Sequence, residues 1–484
     1  MKYILSLFFV LAALQGAAQI RSLTLQECIT LGITRGPSGK MLRASYTTKR
    51  LTYKSFSASL LPQLRLEGTV PDLARTINPI IQPDGTTKFI EQSQANSNVY
   101  LTISQPLVFS GGNIFVSSGL NWNRLLIDNI TTWRSSPLLI GIQQPLFSIN
   151  NLRWDDQENE LRNTAAVKEY NETVEDAGIE MTQKFFDAYV AQMRVNNATF
   201  NVEINDSLLI LSRGRFEVGK IDENDLLQSE LALANAQTDR ANAELDYKIA
   251  IKSLTIALGD SSGTSFMLTP PTDTLTITPS VDVALREARA NRSDIEAYEL
   301  QHVSAERKIQ QARSSNGFNA TITASFGLNQ TAPDVESAYQ DLLDQQIARL
   351  DFSVPLWQWN KGSYEVEAAE AEMERVDVSL GVQKKMFEDN VESQVQRYLR
   401  NREQLKLSMK ADTIAQKQYD LASKRYLIGK YDVTKVMLAQ DAKDKARQAL
   451  ILQQKEYWLS YYRLRRTTLF DFVTNSKIQH SNNP

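Results

Sequence analysis

Two matching eight-residue segments, 215–222 (RFEVGKID) and 425–432 (RYLIGKYD), hold the most regular grouping of charged and turn-forming residues in the chain. The glycine of each segment can take the left-handed backbone conformation that ends a helix. The aspartate that closes each segment stands where the N-cap of a following helix belongs. These segments suit hydrogen bonding and charge interaction at a turn between two helices. The residues concerned are Gly219, Asp222, Gly429 and Asp432.

Residue types suited to catalysis are scarce in this chain of 484 residues. It has two histidines, His302 and His480, and one cysteine, Cys28. A disulfide within the chain is impossible, and metal sites of His and Cys or histidine-based catalysis are nearly excluded. Paired carboxylates such as Asp155 and Asp156 fall on predicted solvated helices, where a charge cluster usually marks a wet face. We predict no catalytic, cofactor-binding or metal-binding residue, and therefore no enzyme.

The balance of charge excludes nucleic acid as a partner. The chain has 53 Lys and Arg against 56 Asp and Glu, which gives a formal net charge of −3. Proteins that bind nucleic acid concentrate basic charge on one surface. Beyond the N-terminus, no run approaches the ~20 apolar residues of a membrane-spanning helix.

The N-terminus predicts export. A lysine near the start is followed by an apolar stretch at 4–14 and by the small residues Gly16, Ala17 and Ala18. This order is typical of a secretory signal peptide, which we assign to residues 1–18. Cys28 lies ten residues beyond the expected cleavage point without the small residues that precede a lipidated cysteine, so we expect it on a buried helix face.

The positions of the prolines predict two long helical tracts. All fourteen prolines lie at 37–145, at 270–355 or at the last residue. From Val167 to Leu209, steps of three and four residues meet mostly apolar side chains through six heptads, which is a coiled-coil seam. A helix over 152–212 is about 90 Å long at ~1.5 Å per residue and must bury its seam against partner helices.

The proline-bearing regions alternate instead with a period of two. One parity is apolar and the other is polar in six stretches, and this pattern predicts strands with two different faces. A membrane barrel with lipid outside and water inside has this pattern, and so does a soluble sandwich with one wet face. The stretches lie near 64–70, 99–108, 114–122, 138–142, 321–329 and 347–354.

The chain is a duplicated unit. The turns at 215–222 and 425–432 are 210 residues apart, and so are the QPLF motif at 144–147 and the VPLW motif at 354–357. Upstream, the first half holds extra sequence that matches one additional hairpin, near 99–122. We assign the first structural repeat to 19–259, a linker to 260–280, the second repeat to 281–472 and a polar C-terminal tail to 473–484.

These features together resemble the TolC-like outer-membrane efflux family. The resemblance rests on the signal peptide, the duplicated order of helix, strands and long helix hairpin, the two turns, and the motifs LPQL at 61–64 and QPLF at 144–147. It covers about residues 23–472. It implies an α+β membrane protein with two internal repeats, in which three chains share one transmembrane β-barrel that a long α-helical coiled-coil periplasmic barrel continues.

The resemblance also implies a function. Members of this family are passive export ducts of tripartite efflux or type I secretion systems in the cell outer membrane, with a periplasmic helical extension. The expected partners are two further copies of the chain, a periplasmic adaptor (membrane fusion) protein, an inner-membrane pump and outer-membrane lipid. A rival interpretation is an exported trimeric coiled-coil structural or adhesin-like protein, which does not need six alternating strands.

The number of strands departs from the family pattern. The family uses four strands per subunit, whereas this sequence has six candidates. The extra hairpin either joins the sheet, giving eighteen strands in a trimer, or projects from it. We favour inclusion because its strands alternate as well as the others do. Open strand edges cannot face lipid, so a few strands per chain must be closed by other chains.

Aromatic residues mark the points where strands become helices. Phe147 in the first repeat and Trp357 and Trp359 in the second occupy this joint. Such rings suit the boundary between membrane and water, while simple packing at the joint is the alternative. Their recurrence in both repeats favours the membrane interface.

The resemblance assigns the helix turns to the periplasmic tip. It implies adaptor docking at Arg215, Phe216, Gly219, Arg425, Tyr426 and Gly429, and a gate at Asp222, Asp225, Asp432 and Lys435. Helix capping alone is a sufficient role for Asp222 and Asp432. Asp225 matches the acidic position of the family in the first repeat, whereas Lys435 replaces it in the second. We therefore predict that Lys435 pairs with Asp225 and holds the tip shut.

Overall fold

A computed structural model describes residues 21–260, 266–271, 275 and 277–480. The predicted signal peptide lies outside these residues. The chain divides into two compact units. The helical unit contains the residues up to Thr47, Ala166–Ser293 and the residues from Gln383 onward. The sheet unit contains Thr48–Ala165 and Asp294–Val382.

The helices and strands follow one another in the order that the duplication predicts. In each repeat, short helices precede the strands of the large sheet, and a long helix and a returning helix follow them. The helices are α1 (Leu25–Thr34), α2 (Pro37–Ser59), α3 (Asn151–Glu217), α4 (Glu223–Leu258), α5 (Val281–Asn291), α6 (Asp294–Ser315), α7 (Lys361–Leu427) and α8 (Val433–Thr468). The strands are β1 (Arg21–Thr24), β2 (Gln63–Ile81), β3 (Thr87–Leu107), β4 (Gly112–Leu125), β5 (Ile130–Leu146), β6 (Phe266–Thr269), β7 (Asn319–Ala332), β8 (Leu343–Ser353), β9 (Phe470–Asp471) and β10 (Ser476–Lys477).

The long helices confirm the internal repeat. Helices α3 and α7 have 67 residues each, and the returning helices α4 and α8 have 36 each. Each element of the second pair begins 210 residues after its counterpart, at 361 against 151 and at 433 against 223. Both pairs fill the proline-free tracts because nothing there removes a backbone donor or clashes with the preceding turn. No helix within the described ranges has the length and apolar character needed to cross a membrane.

A large apolar core holds the helical unit together, and a second, smaller apolar cluster surrounds Tyr426. The predicted seam of α3 is buried at Val174, Ala177 and Met181. Tyr398 of α7 and Tyr457 of α8 are fully buried, and their hydroxyl oxygens lie 3.3 Å apart. The two rings therefore hold α7 against α8 in the part of the core where β1, α1 and β6 also pack.

Cys28 lies buried on α1, as predicted. Burial raises the pKa of its thiol to about 12. A thiol that stays protonated at physiological pH is a poor nucleophile. Cys28 is therefore a packing residue.

The C-terminal residues fold onto the helical unit. Strands β9 and β10 pair antiparallel, and the backbone N–H of the buried Ile478 donates to the Leu469 carbonyl at 2.9 Å. His480 Nε2 lies 3.0 Å from Glu175 Oε1 on α3. The predicted polar tail, 473–484, thus contributes packed residues as far as 480, and its last four residues lie outside the described part of the chain.

The sheet unit is built on one antiparallel sheet. Its strand order is β2-β3-β4-β5-β7-β8 among the residues that the structure describes. The extra hairpin of the first repeat corresponds to β3 and β4. It pairs with β2 on one side and with β5 on the other. The hairpin therefore lies within the sheet and does not project from it, which settles the strand count per chain at six in this sheet.

Two strands are longer than the sequence predicts. Alternation is clear only to Val70 on β2 and from Val99 on β3, but the strands continue to Ile81 and begin at Thr87. Pro71 and Pro79 interrupt the pattern and argue against a strand from sequence alone. Proline is tolerated here because β2 is an edge strand, where a missing N–H need not break a ladder.

The two faces of the sheet differ as predicted. Registered partners place apolar side chains beside one another on one face, for example Leu66 opposite Leu101 and Ile140 opposite Phe326. Leu66 is 70% exposed in the single chain. The other face is mainly polar and small, although Tyr100, Phe115 and Leu139 also lie on it. A sheet with an exposed apolar face needs a nonaqueous surrounding or a partner.

Candidate functional site: the helix turns and the strand–helix joints

The two helix turns have the same backbone. Gly219 and Gly429 take φ values of 68° and 73°. The N–H of Gly219 donates to the Phe216 carbonyl at 2.9 Å, and the N–H of Gly429 donates to the Tyr426 carbonyl at the same distance. A Cβ at either glycine would meet no atom within 4 Å, so the backbone conformation and not crowding requires glycine.

Both predicted N-caps are present. Asp222 Oδ1 accepts from the Asp225 N–H at 2.9 Å, and Asp432 Oδ1 accepts from the Lys435 N–H at 2.8 Å. The backbone N–H of Lys435 lowers the pKa of the Asp432 carboxyl, and the Lys435 ammonium lowers it further. Each aspartate thereby satisfies a backbone donor that has no partner in the first helical turn.

The ion pair predicted between Asp225 and Lys435 is not the one that the chain makes. Lys435 Nζ lies 3.3 Å from Asp432 Oδ2, within its own turn, and 5.3 Å from the centre of the Tyr431 ring. The spacing of three residues on α8 favours this local partner, because side chains three apart are neighbours on a helix. Asp225 lines the same cleft as Lys435 at the tip, a space of about 650 Å³.

Arg215 joins the first turn to the second helix pair. Its Nη2 donates to the Tyr426 carbonyl at 3.0 Å, and its guanidinium carbon lies 4.6 Å from the centre of the Tyr426 ring. The Tyr426 hydroxyl also lies 3.2 Å from Ser212 Oγ on α3. Tyr426 is only 3% exposed. The family resemblance assigns both residues to the docking surface, and in this chain they hold the two turns together.

Arg425 behaves differently from its counterpart. Its Nη1 donates to the Tyr431 hydroxyl at 2.6 Å, within the second turn. Phe216, the counterpart of Tyr426, is 40% exposed. The turns also expose apolar residues that the prediction missed. These residues are Val218, Leu427 and Ile428. Their position just before the turn glycines is the signal in the sequence that could have identified them.

The aromatic residues at the strand–helix joints are exposed. Trp357 and Trp359 have exposed fractions of 75% and 82%, and their ring centres lie 5.4 Å apart. Phe147 is also largely exposed, with its ring centre 5.3 Å from that of Phe318. Phe318 was missed because its counterpart in the first repeat, 256 residues earlier, is Pro62, so no aromatic residue recurs at this position. Exposure favours the membrane-interface interpretation over simple packing.

Within the described ranges, no group of three or more His, Cys, Asp or Glu side chains is placed to hold a metal ion. The sites consist of helix caps, a cation on an aromatic ring, and exposed apolar side chains.

Comparison with solved structures identifies the fold. The Campylobacter jejuni CmeC outer membrane channel superposes with a TM-score of 0.66 at 14% identity, covering 95% of this chain and 87% of that one. The Neisseria gonorrhoeae MtrE outer membrane channel, in its open state, gives 0.63 at 12% identity, with 95% and 91% covered. The Vibrio cholerae outer membrane protein VceC gives 0.60 at 13% identity, with 94% and 96% covered.

A comparison with curated proteins found no match. The model of a family described as outer membrane efflux protein matches residues 113–260 and 284–468, more than half of the sequence. The match includes both long helix pairs and the strands β4 and β5. This chain belongs to the outer membrane efflux protein family, and it is accordingly a transport channel of the outer membrane and not an enzyme.

Proposed function

We propose that the chain is one third of a passive export duct, the outer-membrane component of a tripartite efflux or type I secretion system. In this proposal three copies share one transmembrane β-barrel made from their sheet units. Their helical units form a coiled-coil tunnel in the periplasm. The tunnel docks to a periplasmic adaptor protein, and the adaptor connects it to an inner-membrane pump.

The observation that carries the proposal is the sheet itself. It has one exposed apolar face, and its outer strands, β2 and β8, are exposed along nearly their whole length. In a bilayer the backbone groups of such edges must find partners, because lipid offers none. Another copy of the sheet offers strands of the right direction and the right face. Three sheets of this order contribute eighteen strands to one closed barrel.

The strand–helix joints support the same placement. Exposed aromatic rings at both joints, those of Phe147, Trp357 and Trp359, are suited to the level where lipid headgroups meet water. The joints lie at the end of the sheet where α3 and α7 begin. We assign this end to the periplasmic leaflet.

The tips of the helix pairs are proposed to meet the adaptor through their exposed apolar residues. Val218 and Ile428 precede the two turn glycines and are exposed. Apolar side chains at an otherwise polar tip favour a protein partner. Arg425 and Phe216 lie beside them on the same turns. Tyr426 is excluded from direct contact by its burial.

The same tips are proposed to close the duct. Arg215 ties the first turn to the second through Tyr426, and Asp225 and Lys435 place opposite charges in one cleft. A gate of this kind opens when the two helix pairs separate, which breaks the hydrogen bonds of Arg215 and Ser212 with Tyr426 and the apolar contact of Tyr426 with Leu208. Opening therefore requires loss of the Arg215 hydrogen bond but leaves both caps intact.

Conductance in planar bilayers tests the proposal. Purified protein should form long-lived channels, and Asp225→Ala or Lys435→Ala should raise their conductance by widening or discharging the tip. Protein that inserts as trimers but conducts no current would contradict the duct. Unchanged conductance in both variants would remove these two residues from the gate.

Adaptor docking has its own test. A photoreactive residue at Val218 or Ile428 should cross-link to the adaptor in cells, whereas one at the buried Tyr419 should not. Cross-linking at neither tip position, with trimers intact, would overturn docking at the turns.

A further inference from the structure

The two outer strands of the sheet carry alternating charges on the polar face. On β2 these are Arg65 and Glu67, and on β8 they are Arg349 and Asp351, all exposed. Within the chain each faces an uncharged residue on the adjacent strand: Thr102, Tyr100, Thr323 and Thr321. Arg349 Nε lies 3.0 Å from Asp351 Oδ2 on its own strand. Such an exposed ion pair contributes little to stability, so either side chain can leave it for a better partner at small cost.

We propose that β8 of one copy pairs with β2 of the next in the register that places Asp351 opposite Arg65 and Arg349 opposite Glu67. The partner is thus a second copy of this chain, bound through a charged seam on the polar face of the shared sheet. This inference rests on the proposed function, because it assumes that copies of the sheet close one barrel.

Strand direction and face restrict the possible registers. Directions alternate across the antiparallel sheet, so β8 runs opposite to β2 of a neighbouring copy. A slip of one residue would turn the apolar face of one sheet toward the polar face of the next. Only slips of two residues remain. In the proposed register the apolar face is continuous, with Leu64 opposite Phe352 and Leu66 opposite Leu350.

The charges select among these registers. A slip of two residues in one direction sets Arg65 against Arg349. A slip of two in the other direction sets Glu67 against Asp351. Like charges directly opposite one another destabilise a strand pair, and opposite charges stabilise it. The proposed register alone satisfies all four charges at once.

The stagger of the sheet agrees with this choice. Starting from Gln63, the registered partners across the sheet are Ser104, Phe115, Gly141, Ser325 and Ile347. The proposed register puts Ile347 opposite Thr69 of the next copy, six residues further along β2. At ~3.3 Å per residue and ~4.8 Å between strands, this stagger over six strands gives a tilt of about 35°.

Strands of membrane barrels tilt by about 35–45°. The same arithmetic gives about 25° for the register that opposes Arg65 and Arg349, which lies below this range. The register that opposes Glu67 and Asp351 gives about 43° but brings two carboxylates together. Charge therefore excludes both neighbouring registers, and the tilt independently excludes the one that opposes Arg65 and Arg349.

Disulfide cross-linking of the full-length protein in the outer membrane tests the seam. The three double variants Arg65→Cys/Asp351→Cys, Arg65→Cys/Arg349→Cys and Glu67→Cys/Asp351→Cys report the three registers. A disulfide needs Cα atoms about 4.4–6.8 Å apart, and a slip of two residues adds about 6.6 Å along the strand. We expect a covalent trimer after denaturation for the first variant only. The native Cys28 does not interfere, because it is buried.

The outcomes separate the seam from the proposed function. Trimers that cross-link through either of the other pairs, or through none, overturn the register and leave the shared barrel standing. A wild-type protein that is a monomer in native mass measurements overturns the shared barrel itself.

Charge reversal provides a second readout that does not depend on oxidation. Arg65→Asp should lower the temperature at which the detergent-resistant trimer dissociates, and Arg65→Asp/Asp351→Arg should restore it. Equal loss in the single and double variants would contradict the pairing of these two side chains.

Discussion

The two helix turns share a backbone and differ in what their side chains do. Both have a left-handed glycine, the same closing hydrogen bond, and an aspartate cap on the helix that follows. In the first turn, however, Arg215 reaches across to Tyr426 of the second helix pair. In the second turn, Arg425 bonds to Tyr431 of the same turn.

This difference separates the features that folding requires from those that the pairing of helices requires. Backbone groups at a helix end must be satisfied in either repeat, so glycine and aspartate persist in both. The arginine side chains have different partners. Arg215 of the first turn bonds to the second helix pair, whereas Arg425 bonds within the second turn. The duplicated chain is thus symmetric in its backbone and asymmetric in its contacts at the tip.

The largest expected effect separates Tyr426 from Phe216. Tyr426 is buried against Leu208, Val433 and Val436, so Tyr426→Ala should destabilise the tip by about 3–5 kcal/mol, as other buried aromatic truncations do. Phe216→Ala should cost less than about 1 kcal/mol, because that ring is already half in water. Hydrogen exchange of the peptides around both turns measures the difference. Equal effects would mean that the tip packs symmetrically.

Next in size is the contrast between the two arginines. Arg215→Ala removes a hydrogen bond from a charged group that joins the helix pairs, worth ~1.5–3 kcal/mol. The ratio of open to closed channels should therefore rise by about tenfold or more. Arg425→Ala breaks only a contact within its own turn and should leave this ratio nearly unchanged. Single-channel recordings decide, and a larger response from Arg425→Ala would reverse the assignment.

The caps should respond alike in both turns. Asp222→Ala and Asp432→Ala should each destabilise the following helix by about 1 kcal/mol, since each leaves one backbone N–H without its partner. Asp→Asn at the same positions should retain most of the stability, because asparagine caps a helix as well as aspartate does. Exchange of the first-turn amides of α4 and α8 is the measurement. A strong effect at one cap only would contradict the shared backbone.

The smallest expected effect concerns pH at the second turn. The pKa of the Asp432 carboxyl is lowered, first by the backbone N–H of Lys435. A lowered pKa means that the cap stabilises the folded turn at neutral pH, and that this stability is lost as the pH falls through the lowered value. Exchange of the α8 first turn should thus change only below about pH 4. Asp432→Asn should abolish this change, and a transition near neutral pH would contradict it.

The sequence predicts those helices and turns for which one physical requirement, such as burial of an apolar seam, leaves a single possible structure. Proline-free tracts with a heptad seam predict α3 and α7, since any competing structure would expose the seam. The repeat offset predicts α4, α8 and both turns. The extension of β2 past Val70 escaped prediction because Pro71 and Pro79 are permitted only by the edge position of the strand. That position is a property of the assembled sheet. The start of β3 at Thr87 escaped prediction because its residues before Val99 do not alternate between apolar and polar.

The candidate sites divide in the same way. Caps and turn glycines follow from local backbone needs and could be predicted residue by residue. The burial of Tyr426 depends on which helices pack together, which the family resemblance does not reveal. Lys435 pairs instead with Asp432, a local partner three residues away that the resemblance passed over. The exposed Val218 and Ile428 were within the predicted turns, and their position directly before the glycine in both repeats is the signal that could have identified them.

If other copies complete the apolar sheet of one chain in a common barrel, electron-microscopic imaging of the detergent-extracted protein will show that barrel. We expect particles with threefold symmetry and eighteen strands around one pore, with the β3–β4 hairpin inside the wall. Single subunits with an open sheet, or a twelve-stranded wall that leaves this hairpin outside, would contradict this expectation.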